Sequence, residues 1–402
     1  MLLKHSGIKY MNKKVLLYIG SRANYSSARS LLYAFKKHKL LEPIVVLGAA
    51  GLVDKYGNLE DLIKSDGFKV NHKISFLVEG GKLENMAQSC GIAMNNFPSI
   101  IEKYKPDYIF VIGDRFDVLP IASTAMLMNI PLAHSMGGER SGTIDESIRH
   151  AISKMANLHF VANADAMERL KKMGELSETI FNVGCPRIDY INETVKKFKK
   201  GNMLSSQTIF KKFGGVGDEF DMTEDDFLLV SFHPVTTEYN NLRKLTKNLL
   251  SALKKSKMKV IMLWPNADAG NDFISKEIRI YREKYSPDWL YLFKNLPVEV
   301  YLQLMYSCKC LIGNSSSAVR EGEFMGVRAV NIGTRQNARL RGKNLIDCDY
   351  SEESILTAIT KQIKSKGVIK SDHLYGSGNS AEKVAKVLAK TTIGNTQKLN
   401  SY

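Results

Sequence analysis

Between positions 137 and 150 the chain reads Gly-Gly-Glu-Arg-Ser-Gly-Thr-Ile-Asp-Glu-Ser-Ile-Arg-His. Glycines and small residues lead into a helical pattern whose first turns carry Asp145, Glu146, Arg149 and His150. Acid, base and cation at the mouth of one element are the parts that proton transfer on a charged ligand requires. Packing accounts for this stretch less well than for any other in the chain. Arg149 and His150 are neighbours in a helix and do not share a face fully, so His150 can only edge into such a site.

The other candidates are polar residues that directly follow strand patterns. Arg22 and Asn24 follow the first strand, Asp114 and Arg115 the run Tyr108–Ile112, and His233-Pro234 the run Phe227–Phe232. Asn266 and Asp268 follow Val260–Trp264, the run Asn314-Ser315-Ser316-Ser317 follows Leu311-Ile312, and Thr334-Arg335 follows Val330–Ile332. In parallel sheets ligands bind beyond the carboxyl ends of the strands, so these groups converge on one side. Gly313 to Ser317 is expected to open a helix, where amides, hydroxyls and the dipole favour a phosphate. The plainer alternative is an N-cap with spare serines. Glu321, about a turn further on, would repel a diphosphate and suits a ribose diol, or else is an ordinary helix glutamate. Asp114 could equally cap the next helix or pair with Arg115. His134 and His159 lie in strand patterns and read as packed histidines. Pro234 ends its strand and turns His233 towards a cleft.

The elements that must position these groups alternate in type. Val15–Gly20, Pro43–Leu47, Tyr108–Ile112, Pro131–His134 and Leu158–Val161 read as buried strands, with helices at Ser27–Lys37, Glu84–Tyr104, Val118–Met128 and Asp145–Ala156. A second alternation has strands at Phe227–Phe232, Val260–Trp264, Leu290–Phe293, Cys310–Gly313 and Ala329–Ile332. Its helices are Leu242–Lys254, Val298–Ser307 and Ala318–Met325. Between the two halves, 192–226 holds a lysine run, a glycine cluster and an acidic patch, as a domain connection would. The expected class is α/β, with two doubly wound Rossmann-like domains facing a cleft. The divisions are an N-terminal extension 1–12, a first domain 13–191, a nucleotide-binding domain 192–379, and a helix and tail 380–402. No strand-coupled GxGxxG is present, so a standard dinucleotide fingerprint is lacking.

At 402 residues, two domains are the natural count. A hydrophobic content of 44% supports large cores, and no apolar run approaches the ~20 residues of a membrane span. Five cysteines, few and odd in number, argue against a disulfide framework and for a reducing cytoplasm. The net charge of +16 is spread along the chain rather than striped, which favours a lysine-rich surface and anionic small ligands over nucleic acid.

Taken together, these motifs resemble the non-metal, hydrolysing UDP-N-acetylglucosamine 2-epimerases, closest to the sialic-acid-pathway branch. The likeness rests on Arg22-Ala23-Asn24-Tyr25-Ser26, Gly113-Asp114-Arg115-Phe116-Asp117, Gly137-Gly138-Glu139 running on to Ile152, Gly184-Cys185-Pro186 and His233-Pro234-Val235-Thr236-Thr237. It continues through Pro265 to Gly270, Gly313 to Ser317, Arg320-Glu321 and Gly333-Thr334-Arg335-Gln336. It covers about residues 13 to 390. The resemblance implies a glycosyltransferase-B-like fold with a sugar nucleotide in the cleft. It implies conversion of UDP-GlcNAc and water to ManNAc and UDP, by anti elimination to a 2-acetamidoglucal and then hydration with inversion at C2. It implies no metal, no cofactor, no nucleic-acid or membrane partner, and a homodimer or homotetramer.

Position by position, Asp114 and Asp145 match carboxylates of the proton transfers, Arg149 an arginine near the sugar, and His233 a histidine at the diphosphate. Arg22, Ser315 and Ser316 match phosphate contacts and Glu321 the ribose grip. Ser26, Arg115, Asn266 and Arg335 complete the substrate-binding set. One position departs: where many relatives carry Glu, two residues after the histidine, this chain has Met136. The displaced base would be Glu139 or Asp114. Within the family the alternative substrate is a UDP-2,4-diacetamido-trideoxyhexose, on the legionaminic acid route. A glycosyltransferase of the same fold fits less well, because it needs an acceptor cleft rather than two proton-transfer groups. A non-catalytic regulator is opposed by the presence of Asp114, Asp145 and His233.

Overall fold

The computed structural model describes residues 12–53, 58–80, 82–266, 268–294 and 296–399; the expected extension, apart from Asn12, lies outside them. Strands β1 (Lys13–Ile19), β2 (Leu41–Gly48), β3 (His72–Ile74), β4 (Tyr108–Ile112), β5 (Leu132–Ser135), β6 (Leu158–Val161) and β7 (Ile180–Asn182) form one sheet, ordered β3-β2-β1-β4-β5-β6-β7. Strands β8 (Phe227–Ser231), β9 (Lys259–Leu263), β10 (Leu290–Phe293), β11 (Cys310–Gly313), β12 (Ala329–Ile332) and β13 (Leu345–Cys348) form another, ordered β10-β9-β8-β11-β12-β13. Neighbours in both sheets run parallel. The two Rossmann-like lobes face each other across a cleft.

Both faces of each sheet are covered, which is why the central strands are apolar along their whole length. Val15, Leu17 and Ile19 pack into one core and Leu16 and Tyr18 into the other, following the two-residue period of a strand. Leu228 and Val230 separate from Phe227 and Leu229 in the same way in the second lobe. In each sheet the strand order reverses once, between β1 and β4 and between β8 and β11. A crevice opens at such a reversal, because the connections on either side leave in opposite directions. Arg22 and Asp114 follow the first pair of strands; His233 and Ser315 follow the second.

Three features depart from the sequence reading. Strands β3, β7 and β13 are short and partly exposed, and polar residues interrupt them, so no apolar run marks them. The expected helix Ala318–Met325 is a run of turns through Ser316–Arg320 followed by the helix Glu321–Met325. The helix Pro186–Phe198 runs through the expected boundary at 191/192, and the last helix, Ser380–Lys390, packs back on the first lobe against it. Asp189 seals that return: its carboxylate accepts the amides of Ser380 (2.9 Å) and Ala381 (2.7 Å), donors that a helix start leaves unsatisfied. No helix among the described residues is long and apolar enough to cross a membrane.

Candidate active site

A cavity of about 360 Å³ lies between the lobes and is lined by both. At one end stands the helix Ile144–Met155. Thr143 caps it, its hydroxyl accepting the Asp145 amide at 3.3 Å. This cap holds Asp145 in the first turn, where its carboxylate lines the cavity. One turn on, Arg149 is fully buried and points the other way, behind Asp114. Its Nε donates to Asp114 Oδ2 at 2.9 Å, its second terminal nitrogen donates to the same oxygen, and its first donates to the Glu139 carbonyl at 2.9 Å. Arg149 therefore does not line the cavity as expected; it is the brace of a residue that does. His150 is turned aside onto Glu146 at 2.9 Å.

Glu139 does not line the cavity either. Its carboxylate is buried and takes bonds from Arg320 and, at 2.9 Å, from Arg339, both delivered by the second lobe. A carboxylate held this way faces the two arginines and not the cavity, where the expected replacement for the missing base would have to stand. Met136 does line the cavity, with a left-handed φ of 69°, and offers a thioether rather than a carboxylate.

Asp114 and Asp145 share this end and differ in surroundings. Burial opposes ionisation of Asp114, but Arg149 and then Arg339 outweigh it and hold the carboxyl well below the usual range. Burial, with the Asp114 charge beside it, pushes Asp145 up to about 6 against the pull of Arg335. Arg335 is 3.9 Å from Asp145 and 3.7 Å from Asp268; Arg115 binds Asp268 at 3.0 Å and Asp117 at 3.1 Å. Two carboxylates with proton affinities driven apart by their environments are the usual mark of divided labour in proton transfer. His233 is half-buried, and loss of solvation with Arg335 nearby pushes it down to about 3, so the ring is neutral. Its Nδ1 accepts the Asn266 amide at 3.3 Å, which leaves Nε2 to donate to Ser231 at 3.2 Å. Asn266 is held in turn by Asp268 at 2.6 Å.

The opposite end is built from backbone and hydroxyls. Gly313 has φ of 136°, and a Cβ there would stand 2.1 Å from the Ser231 carbonyl, so glycine alone lets β11 turn into the serine run. The Ser315 hydroxyl accepts from the Ser317 amide at 3.3 Å, and Ser316 lines the cavity beside it. Glu321 opens its short helix rather than lying a turn along one. One carboxylate oxygen accepts from Arg187 at 2.9 Å and the other is buried with no protein partner, a free acceptor at the cavity wall. Arg22 donates to the Leu296 carbonyl at 3.1 Å and so spans the lobes. Ser26 lines the cavity while its hydroxyl is spent on the Ala23 carbonyl at 2.8 Å.

The sequence reading missed Arg187, Asp268 and Arg339 as working parts. Arg187 follows β7, a strand with no apolar run to mark it, and so escaped the strand-end criterion. Asp268 stood within that criterion, after β9, without a role assigned to it. Arg339 lies in a loop with no periodicity to mark it. His134, by contrast, is the packed histidine expected: its Nε2 meets the Gly113 carbonyl at 2.8 Å and its Nδ1 meets Ser153. The same holds for His159, buried against Glu175 at 3.0 Å.

Comparison with known proteins gives a consistent picture. The sequence family described as UDP-N-acetylglucosamine 2-epimerase matches residues 34–389. The chain is 33% identical to a UDP-N,N'-diacetylbacillosamine 2-epimerase (hydrolyzing) of Legionella pneumophila, over 97% of this chain and 99% of that one. It is 30% identical to a UDP-N-acetylglucosamine 2-epimerase of Neisseria meningitidis serogroup B, over 94% and 95%. Among solved structures, the UDP-GlcNAc 2-epimerase of Methanocaldococcus jannaschii in complex with UDP-GlcNAc and UDP superimposes with a TM-score of 0.77 at 16% identity, covering 94% of this chain and all (100%) of that one.

Proposed function

We propose that this chain, which belongs to the UDP-N-acetylglucosamine 2-epimerase family, hydrolyses UDP-N,N'-diacetylbacillosamine with inversion at C2 of the sugar. Hydrolysing 2-epimerisation of a nucleotide sugar is the activity of the family; the particular sugar is the proposal. The observation that carries the reaction is the pair Asp114 and Asp145, set at one end of the interlobe cavity with opposed proton affinities. The choice of sugar is supported by the Legionella pneumophila relative, which matches along its full length.

Asp145, with its raised affinity, is the group suited to take the C2 proton, since a base works best with a pKa near the working pH. As that proton moves, the C2–H electron pair becomes the C1–C2 double bond and the C1–O pair leaves with UDP. Asp114 remains ionised and fixes the charge against which Asp145 titrates. Water then adds: its oxygen bonds to C1 and a proton enters C2 from the opposite face. Arg22, Arg115 and Arg335 supply positive charge along the path of the leaving diphosphate. His233, neutral and fixed in one tautomer, presents a hydrogen bond rather than a charge. Ser315 and Ser316 suit the phosphates and Glu321 the ribose.

A second reading, UDP-GlcNAc to ManNAc and UDP, is supported by the Neisseria meningitidis relative, and ManNAc as product would favour the sialic-acid branch. Both are tested in one assay. The purified protein, in EDTA and deuterated water, is given each nucleotide sugar, and UDP and sugar are followed by NMR. The expected result is UDP release from the diacetamido substrate, with deuterium at C2 of the product. Release from UDP-GlcNAc alone would move the assignment to the second reading, and release from neither would end both.

A further inference from the structure

Asp114 faces the cavity, yet the cations around it come from two lobes. Arg149, on the helix Ile144–Met155, grips its Oδ2 from behind. Arg339, from the loop after β12, stands 3.7 Å from the same oxygen and lines the cavity. Arg339 is itself anchored, donating to Glu139 Oε2 at 2.9 Å, and Arg320 binds that same oxygen. Glu139 belongs to the first lobe, and its backbone carbonyl accepts from Arg149. The two lobes thus close a ring through Asp114, Arg149, Glu139 and Arg339. The second oxygen of Glu139 is buried without a partner. Such an arrangement is expensive in desolvation, and burying it is poorly explained by stability alone.

We infer that Arg339, clamped by Glu139, is a positioning residue through which lobe closure sets the charge of the Asp114–Asp145 pair. Apart from each other, the charged groups facing the pair are Arg149, Arg339 and Arg320 around Asp114, and Arg335, Arg115 and Asp268 around Asp145. His134, near Asp114, is neutral. Of the two second-lobe cations fixed to Glu139, Arg339 is the one that stands within ion-pair distance of Asp114, at 3.7 Å. When the lobes part, it withdraws, and the doubly ionised pair loses a counter-charge. The sign follows: without Arg339 the last proton leaves the pair at higher pH. The pair titrates as a unit, so the shift is read on its upper step. The inference rests on the 2-epimerase reading for its catalytic meaning, but its electrostatic content can be measured without turnover.

The test uses Arg339→Met and Arg339→Lys in the full chain. The upper titration of the pair is followed by ¹³C NMR of aspartate-labelled protein, assigned with Asp145→Asn. Arg339→Met should raise it by about one pH unit, as expected for a charge removed from within a few ångströms, and Arg339→Lys should leave it in place. With the active substrate, kcat of Arg339→Met should fall by roughly 100-fold with KM changed far less, the mark of an interaction that matters in the transition state. The acid limb of kcat/KM should move up with the titration. An unmoved titration in Arg339→Met, or an equal shift in Arg339→Lys, overturns the inference. Should Arg339→Met fail to fold, Arg339→Gln replaces it with the same two outcomes. Loss of turnover in the wild type with both nucleotide sugars would defeat the reaction reading and leave the NMR result to decide the clamp.

Discussion

The two ends of the cavity are built from different materials. The end with Asp114 and Asp145 is a web of ion pairs, and the web crosses the cleft: Arg339 and Arg320 reach Glu139, and Arg335 approaches Asp145. The end with Ser315, Ser316 and Glu321 is made chiefly of second-lobe backbone and hydroxyls, one turn and a glycine-dependent bend, and only one ion pair, Arg187 to Glu321, crosses the lobes there. The contrast teaches where each free energy acts. Charges placed by both lobes exist in their working arrangement only when the cleft is closed, so they bear on the chemical step. Amides and hydroxyls of one lobe are present whether it is open or closed, so they bear on holding the nucleotide.

The largest expected effect is at the charged end. Asp145→Asn should lower kcat by roughly 100-fold or more, the usual contribution of a general base, while calorimetry finds UDP affinity nearly unchanged; wild-type turnover would remove Asp145 from the mechanism. The same end predicts the pH profile. A base with its pKa pushed up to about 6 loses activity as it is protonated. So kcat/KM should be level above that pH and fall about tenfold per unit below it, and the limb should vanish in Asp145→Asn.

Next is the seam between the lobes. The Gly142 amide donates to the Arg335 carbonyl at 3.2 Å, and a Cβ at Gly142 would lie 1.8 Å from the Thr334 carbonyl. Gly142→Ala should hold the cleft ajar and reduce kcat/KM by about tenfold, in line with the cost of misplacing reacting groups by a fraction of an ångström. An alanine enzyme with unchanged kinetics would mean that closure at this seam is not needed.

At the nucleotide end the effects should be smaller and confined to binding. Glu321→Ala removes the free acceptor and the carboxylate partner of Arg187, and should weaken UDP by roughly tenfold in calorimetry, about the worth of one charged hydrogen bond. Unaltered affinity would take the ribose role from Glu321. Smallest is Asp189→Ala, far from the chemistry. Loss of its cap on the last helix should cost ~1 kcal/mol in denaturant unfolding with turnover intact; a fall in turnover would show that the returning helix does more than complete the first lobe.

Much of the frame was legible because strand–helix alternation writes itself into apolar runs of five or more residues, as in β1, β4 and β8. The strands β3, β7 and β13 were not, since they are partly exposed and interrupted by polar residues, unlike the equally short but fully buried β5 and β6. Arg22, Asp114, Asp145, His233 and Arg335 could be named from their places after strands or at a helix mouth. Glu139 and Arg149 could be named too, but not oriented. Glu139 sits in a loop that a sequence leaves free to turn either way, and Arg149 lies one turn from Asp145 on a helix whose rotation only packing determines.

The sequence by itself determined the α/β class, the two doubly wound halves and the side of each sheet on which polar groups gather. These depend on local periodicity and on the rule that parallel strands present their ends together. The tertiary structure decided which of those groups touch a ligand and which hold the others. It turned Arg149 and Glu139 inward, brought Arg339 across the cleft, and set Asp114 and Asp145 apart in proton affinity. The physical reason is that a charge's behaviour depends on burial and on neighbours within a few ångströms, and here those neighbours lie up to 225 positions away, as Arg339 does from Asp114.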